Sequence, residues 1–116
     1  MMQSNTLLSI HQNYYASTNQ RGAQVFFLKE DEQDELLAKT LQEQLNALYQ
    51  KEGAKARKIM PAEYFILTCA PCPAVLIECG FLSNPKDEAL LCSDYFIESL
   101  AENICIGVIE YLFSQV

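Results

Sequence analysis

Two rhythms of apolar and polar positions alternate along the chain. From Asp31 to Gln50, Leu37, Leu41, Leu45 and Leu48 recur at spacings of four, four and three, which puts them on one face of a helix. Lys39, Gln42 and Glu43 point elsewhere on that reading. Asp31, Glu32, Asp34 and Glu35 crowd the opening turn, where negative charge suits the positive end of the helix dipole, and Gly53 is placed to stop the helix. A second helical stripe, Phe96, Leu100, Ile104, Val108 and Leu112, runs through Asp94 to Phe113. Cys105, Ile106 and Ile109 make its later half apolar nearly all round, which predicts packing against more than one neighbour.

Between these helices lie compact apolar runs with no helical period: Leu7 to Ile10, Ala23 to Leu28, Tyr64 to Leu67 and Ala74 to Glu78. Each is predicted to be a short strand. The fourth is the most apolar and belongs at the centre of a sheet, covered on both faces. Asn13 to Gly22 reads as a polar loop, and Pro71 with Pro73 forces a turn or crossover. Ser83 to Glu88 reads as a helix entry with Ser83 or Asn84 as cap and Pro85 in the first turn. Asn13 and Asn84 are therefore read as loop and cap residues rather than substrate ligands. Strands alternating with helices predict an α/β domain over residues 1–116: a mixed, mainly parallel sheet in three layers, with helices on both faces.

The 116 residues are half hydrophobic and one-fifth charged, which is ordinary for one globular domain with a respectable core. A net charge of −7 argues against nucleic acid as a partner, because phosphate contacts need a concentrated positive face. The one basic cluster, Lys51, Lys55, Arg57 and Lys58, reads as a solvated loop. No apolar run is long enough for a membrane span, and the first residues, Met1 to Thr6, lack a secretory signal. Of the five cysteines, Cys79 and Cys105 sit in apolar positions, where a free thiol behaves as a small hydrophobe. Cys69 and Cys72 form a lone CxxC, a weak signal for zinc or for a redox pair.

Two polar residues interrupt this apolar pattern. Glu78 is written into a run that otherwise reads as a buried strand, and His11, the only histidine, closes another. An ionised carboxylate inside a sheet is costly unless it meets a cation, a metal or a proton-transfer task. Both residues fall at predicted strand ends, where open α/β sheets bind ligands, so they are expected to share a site at one sheet edge. One histidine and one glutamate do not close a catalytic zinc site, which needs three protein ligands. As a pair they fit a ligand and a general base, while the plainer readings are a hydrogen-bonded histidine and a glutamate paired with a lysine.

At this point the residues resemble a known family. The segments Leu8 to Asn13 (LSIHQN), Gly22 to Phe27 (GAQVFF), Tyr64 to Leu67 (YFIL) and Pro73 to Pro85 (PAVLIECGFLSNP) look, in order, like the motifs of zinc-dependent N-acetylmuramoyl-L-alanine amidases. The sporulation and germination type is the most similar. The resemblance implies hydrolysis of the peptidoglycan amide between the lactyl group of muramic acid and L-alanine, in the cell envelope. It implies His11 as a zinc ligand and Glu78 as the catalytic acid/base. It also implies a departure: the Gly-rich histidine motif and the glutamate that supply the other two ligands in the family precede this region, and this chain contains neither. The chain thus resembles the C-terminal part of the domain, without the N-terminal strands and helices.

Three expectations follow from that departure. Zinc held by His11 alone should be weak, and the isolated chain inactive or nearly so; Cys79, Cys69 or a partner chain are the conceivable sources of rescue. The exposed flank of the first strand should promote a dimer or higher oligomer. A non-catalytic binding or assembly module on an amidase scaffold stands as the competing reading, with a small thiol redox protein behind it.

Overall fold

A computed structural model describes residues 5–14 and 17–116, with the backbone alone at Asn13. The signal reading at residues 1–4, and residues 15–16 of the polar loop, lie outside the described residues. The elements in order are β1 (Leu7–Asn13), β2 (Gln24–Phe27), α1 (Glu32–Gln50), β3 (Met60–Pro61), α2 (Phe65–Thr68), β4 (Ala74–Phe81), α3 (Pro85–Leu91) and α4 (Asp94–Ser114). The sheet order is β1-β4-β2-β3; β1 runs parallel to β4 and β2 parallel to β3, while β2 and β4 are antiparallel. The expected mixed α/β sheet flanked by helices is present, with its most apolar strand, β4, in an interior position.

The helices are shared unequally between the two faces. Residues of α1 and α4 join Val25, Val75 and Ile77 in the larger core. Among the described residues the opposite face carries only α2, whose Leu67 packs with Ala74 and Leu76. Leu37, Leu41 and Leu45 are fully buried, as the spacing predicts, and each contributes on the order of 1.5–3 kcal/mol through burial. A Cβ on Gly107 would meet Leu41 Cδ2 at 2.7 Å, so the missing side chain lets α4 approach α1 closely.

Helix ends follow the sequence signals. Asp31 caps α1 by accepting from the Gln33 and Asp34 amides, Asn84 caps α3 by accepting from Lys86 and Asp87 with Pro85 behind it, and Ser93 caps α4. Gly53 adopts φ 81° in the turn after α1.

Three expectations need correction. Tyr64 to Leu67 is not a strand: Tyr64 precedes α2, and its ring meets Phe26 edge-on at 5.3 Å. A run of four apolar residues is too short for periodicity to distinguish helix from strand. The edge strand is instead Met60–Pro61, a position where a proline without an N–H is tolerated. Gln42 does not point away from the core. It is 3% exposed, accepts from Val25 N at 2.8 Å and donates to Ala23 O at 2.9 Å, so a helix side chain satisfies strand backbone that β3 is too short to reach. Asp34, read as a dipole partner, is buried and accepts from Ala74 N at 2.9 Å, and burial pushes its carboxyl up.

The broad apolar surface of α4 is only partly used. It packs on α1 and α3, yet Ile97, Ile109 and Phe113 remain exposed at 40%, 49% and 74%.

Candidate functional site

Parallel pairing sets His11 of β1 beside Glu78 of β4, and antiparallel pairing sets Gln24 of β2 on the other side of Glu78. Residues in register on neighbouring strands project from the same face. His11, Glu78 and Gln24 thus form a row across the sheet, on the face opposite α1 and α4. The sequence reading brought two of the three together, on adjacent strands with β1 at the edge, but not at strand ends: β1 continues past His11 to Asn13 and β4 past Glu78 to Phe81.

Glu78 is the anomaly of this row. Its Oε2 is shut off from solvent and has no hydrogen-bond partner among the described residues. Burial raises its carboxyl above the ordinary carboxylate range, while the positive charge of His11 opposes that rise. His11 is exposed, and its Nε2 lies 2.7 Å from Ser9 Oγ, two residues back on the same face. An unsatisfied buried carboxylate oxygen costs on the order of 1–3 kcal/mol, which a purely structural glutamate would have no reason to retain.

The third member of the row was missed in the sequence. Gln24 is 3% exposed, and its Oε1 accepts from Arg57 Nε at 3.0 Å while its Nε2 donates to Lys58 O at 2.5 Å. Arg57 also lies over the Phe81 ring at 5.0 Å and donates to Gln20 Oε1 and Arg21 O. Arg57 is therefore not part of a merely solvated cluster, although Lys51, Lys55 and Lys58 are exposed as expected. The available signal was a glutamine inside an apolar run, the same anomaly that marks Glu78.

The strand end beside Glu78 is held by a buried anion. Asp87 is fully buried; its Oδ1 takes Arg21 Nε at 2.8 Å, and its Oδ2 takes the amides of Gly22 and Phe81 at 2.8 and 3.2 Å. Tyr49 of α1 donates to Cys79 O at 2.6 Å. Gly80 is needed here, since a Cβ would collide with the Tyr49 hydroxyl. Asn84 acts as the expected cap and also donates to Thr18 O at 2.7 Å.

All five cysteines are free. Cys79 is buried and lines a groove with α4 residues, on the face opposite Glu78. Burial, with a smaller contribution from Glu78, pushes its thiol up to about 11, so it is not poised as a metal-binding thiolate. Rescue of a zinc site by Cys79 is thereby disfavoured on both geometry and charge. Cys69 is exposed at the end of α2, and Cys105, expected to act as a buried hydrophobe, is exposed.

A catalytic zinc site takes three protein ligands and leaves one position open. Among the described residues no three of His, Cys, Asp or Glu converge. The row offers one imidazole and one carboxylate, which do not fit a complete zinc centre by themselves.

The sequence matches the N-acetylmuramoyl-L-alanine amidase family over residues 2–110, and the chain belongs to that family. It is 32% identical over 104 residues to the germination-specific N-acetylmuramoyl-L-alanine amidase of Bacillus subtilis, covering 90% of this chain and 43% of the relative. It is 30% identical to the probable cell wall amidase LytH of Staphylococcus epidermidis, covering 98% of this chain and 37% of that one. Among solved structures, the CwlD amidase from Clostridioides difficile, determined in complex with the GerS lipoprotein, superposes with a TM-score of 0.88 at 36% identity. That match covers 95% of this chain and 55% of the other. The chain thus spans less than half the length of these curated relatives.

Proposed function

We propose that the chain forms one wall of the active site of a peptidoglycan amide hydrolase that cleaves the bond between the lactyl group of muramic acid and L-alanine. The observation that carries this reading is Glu78: a partly buried carboxylate with an orphaned oxygen on the interior strand β4, beside the only histidine, which lies on the edge strand β1. Glu78 takes a proton from the water that attacks the amide carbonyl and gives it to the nitrogen as the C–N bond breaks. The products are a lactyl carboxylate and a free L-alanine amino group. A carboxyl raised above its ordinary range suits both halves of that task, because an acid/base works best with a pKa near the working pH.

In the same reading His11 is one ligand of a zinc ion, and the remaining ligands come from outside the described residues. Peptidoglycan is the substrate and the cell envelope the place of action, which the cell wall and germination relatives support. Self-association, the other partnership that the sequence predicts, draws support only from the exposed apolar flank. The incomplete ligand set favours a second reading, a non-catalytic module on an amidase scaffold. The two part company in a chimera that joins this chain to the part of the Bacillus subtilis amidase it does not span. Glu78-dependent release of L-alanine amino groups from peptidoglycan supports the enzyme; a folded, zinc-loaded and inert chimera supports the module.

A further inference from the structure

We infer that the cleft between residues 19–21 and the turn after α1, Gly53 to Arg57, is a subsite for a carboxylate carried by the peptide arm of the substrate. It adds a determinant of substrate choice to the site around Glu78, and it rests on the amidase reading for the identity of that peptide.

The cleft is positive in a chain of net charge −7. Its volume is about 340 Å³; Arg21, Lys55 and Arg57 line it together with Asn19 and Gln20, and no aspartate or glutamate does. Arg57 is half-buried, and every partner it has among the described residues is neutral: Gln24 Oε1, Gln20 Oε1, Arg21 O and the Phe81 ring. Burial disfavours its charge, and Asp87 offsets that only in part. Asp87 is itself committed to Arg21 and to two backbone amides. A partly buried cation without an ion-paired partner is costly, and a bound anion relieves that cost. Among the described residues the Nη2 groups of Arg57 and Arg21 make no hydrogen bond, and Lys55 forms no ion pair.

Arg57 is also held ready. Asn46 of α1 brackets its backbone, accepting from Arg57 N at 3.0 Å and donating to Arg57 O at 2.8 Å. Its side chain lies along Gly22, where a Cβ would meet Arg57 Cδ at 3.4 Å. Fixing a guanidinium fork in advance reduces the entropy lost on binding, and the fork matches the two oxygens of a carboxylate. The cleft is connected to the reaction centre as well. Arg57 Nε reaches Gln24 at 3.0 Å, and Gln24 stands opposite Glu78 in the antiparallel pair. A peptide with its scissile amide at Glu78 thus has Arg57 just beyond the neighbouring strand, within the span of a few residues at about 3.3–3.6 Å each. The sugar rings of the glycan bring hydroxyls and acetamides rather than charge, so a carboxylate subsite takes the peptide arm.

The test titrates the chelator-treated chain with L-alanyl-γ-D-glutamyl-L-lysine, with the same peptide amidated at its carboxylates, and with inorganic phosphate. Backbone amides and arginine Nε–H groups are followed by NMR. The acid peptide is expected to shift Arg57 Nε–H and the amides of Gly53 to Arg57 saturably, and to bind at least about tenfold more tightly than the amidated form, the usual worth of charge-assisted hydrogen bonds. Lys55→Glu reverses an exposed charge and should weaken the acid peptide by about tenfold. Lys29→Glu makes the same change beyond the far end of β2 from Gln24, and should alter that affinity by less than about twofold. Arg57→Lys keeps the charge without the fork and should narrow the preference for acid over amide.

Equal affinity for the acid and amidated peptides overturns the inference, as does the lack of saturable binding or binding that leaves the amides of Gly53 to Arg57 unmoved. Phosphate bound as tightly as the acid peptide assigns the cleft to another kind of anion and also overturns it. The titrations need neither zinc nor hydrolysis. An inert chimera beside a chain that still prefers the acid peptide therefore counts against the amidase reading alone. A chimera that hydrolyses peptidoglycan through Glu78, beside a chain without that preference, counts against the inference alone.

Discussion

His11 and Glu78 stand opposite each other on adjacent parallel strands, the first exposed and the second with one carboxylate oxygen sealed from water and unbonded. The pair is electrostatically coupled: the charge of His11 favours ionised Glu78, and burial disfavours it more strongly. Such a carboxylate weakens the fold, and its removal should strengthen it.

Glu78→Gln is expected to stabilise the chelator-treated protein by about 1 kcal/mol at a pH where the folded-state carboxyl is ionised, by removing a buried charged oxygen without a partner. The sign with pH follows from the raised carboxyl. The folded state holds the Glu78 proton to higher pH than the unfolded state does, so stability falls as pH rises out of the ordinary glutamate range and through the higher folded-state value. The advantage of the variant should therefore be small below that window, grow across it and level off above it. Urea denaturation of both proteins from pH 4 to pH 8 measures the difference; an advantage independent of pH would remove ionisation of Glu78 as its cause.

Asp87→Ala should be among the most damaging single changes. It leaves the Arg21 guanidinium and the amides of Gly22 and Phe81 without their acceptor in a site closed to solvent. Removing one partner of a buried pair typically costs about 3–5 kcal/mol. Thermal unfolding checks this, and a loss below about 1 kcal/mol would mean that Arg21 finds water or another acceptor.

Gly80→Ala is expected to displace the Tyr49 hydroxyl from Cys79 O and to destabilise the fold by about 1–3 kcal/mol, the usual range for overpacking. Tyr49→Phe alone should cost about 1 kcal/mol, the worth of one buried hydrogen bond. In the double variant the two costs should fall short of their sum, since the collision and the lost bond involve the same oxygen. Strict additivity in a double-mutant cycle would contradict the geometry.

Much of this arrangement was legible in the chain. The Leu37, Leu41 and Leu45 face, the Asn84-Pro85 helix start and the pairing of His11 with Glu78 on neighbouring strands each depend on local rules: period, cap chemistry, a polar residue in an apolar run. What stayed hidden depends on tertiary partners. Nothing in the local sequence says that Gln42 turns inward to complete β2, because the reason is the shortness of β3. Arg57 reads as one more charge in a basic loop until Gln24 and Phe81 are brought to it by the fold. Phe65 to Leu67 took the helical state, with Tyr64 as its cap, because the Tyr64 ring and Leu67 find their contacts on Phe26, Ala74 and Leu76, which are distant in sequence.

Arg57→Ala is expected to loosen the row at Gln24 rather than to unfold the domain. It frees Gln24 Oε1 and uncovers Phe81, at a cost of about 1–2 kcal/mol for a charged hydrogen bond and a cation–π contact. Amide exchange should accelerate around Gln24 and Phe81, with α1 and α4 unaffected. Uniform acceleration across the chain would place Arg57 in global stability instead.

The central claim is that Glu78 moves the proton in amide cleavage. The most direct measurement is the rate at which the chimera of this chain with the unspanned part of the Bacillus subtilis amidase, loaded with zinc, releases L-alanine amino groups from peptidoglycan, compared with its Glu78→Gln form at equal zinc occupancy. Loss of the acid/base should reduce the rate by about 10²–10⁴-fold. Equal rates in the two proteins would contradict the account.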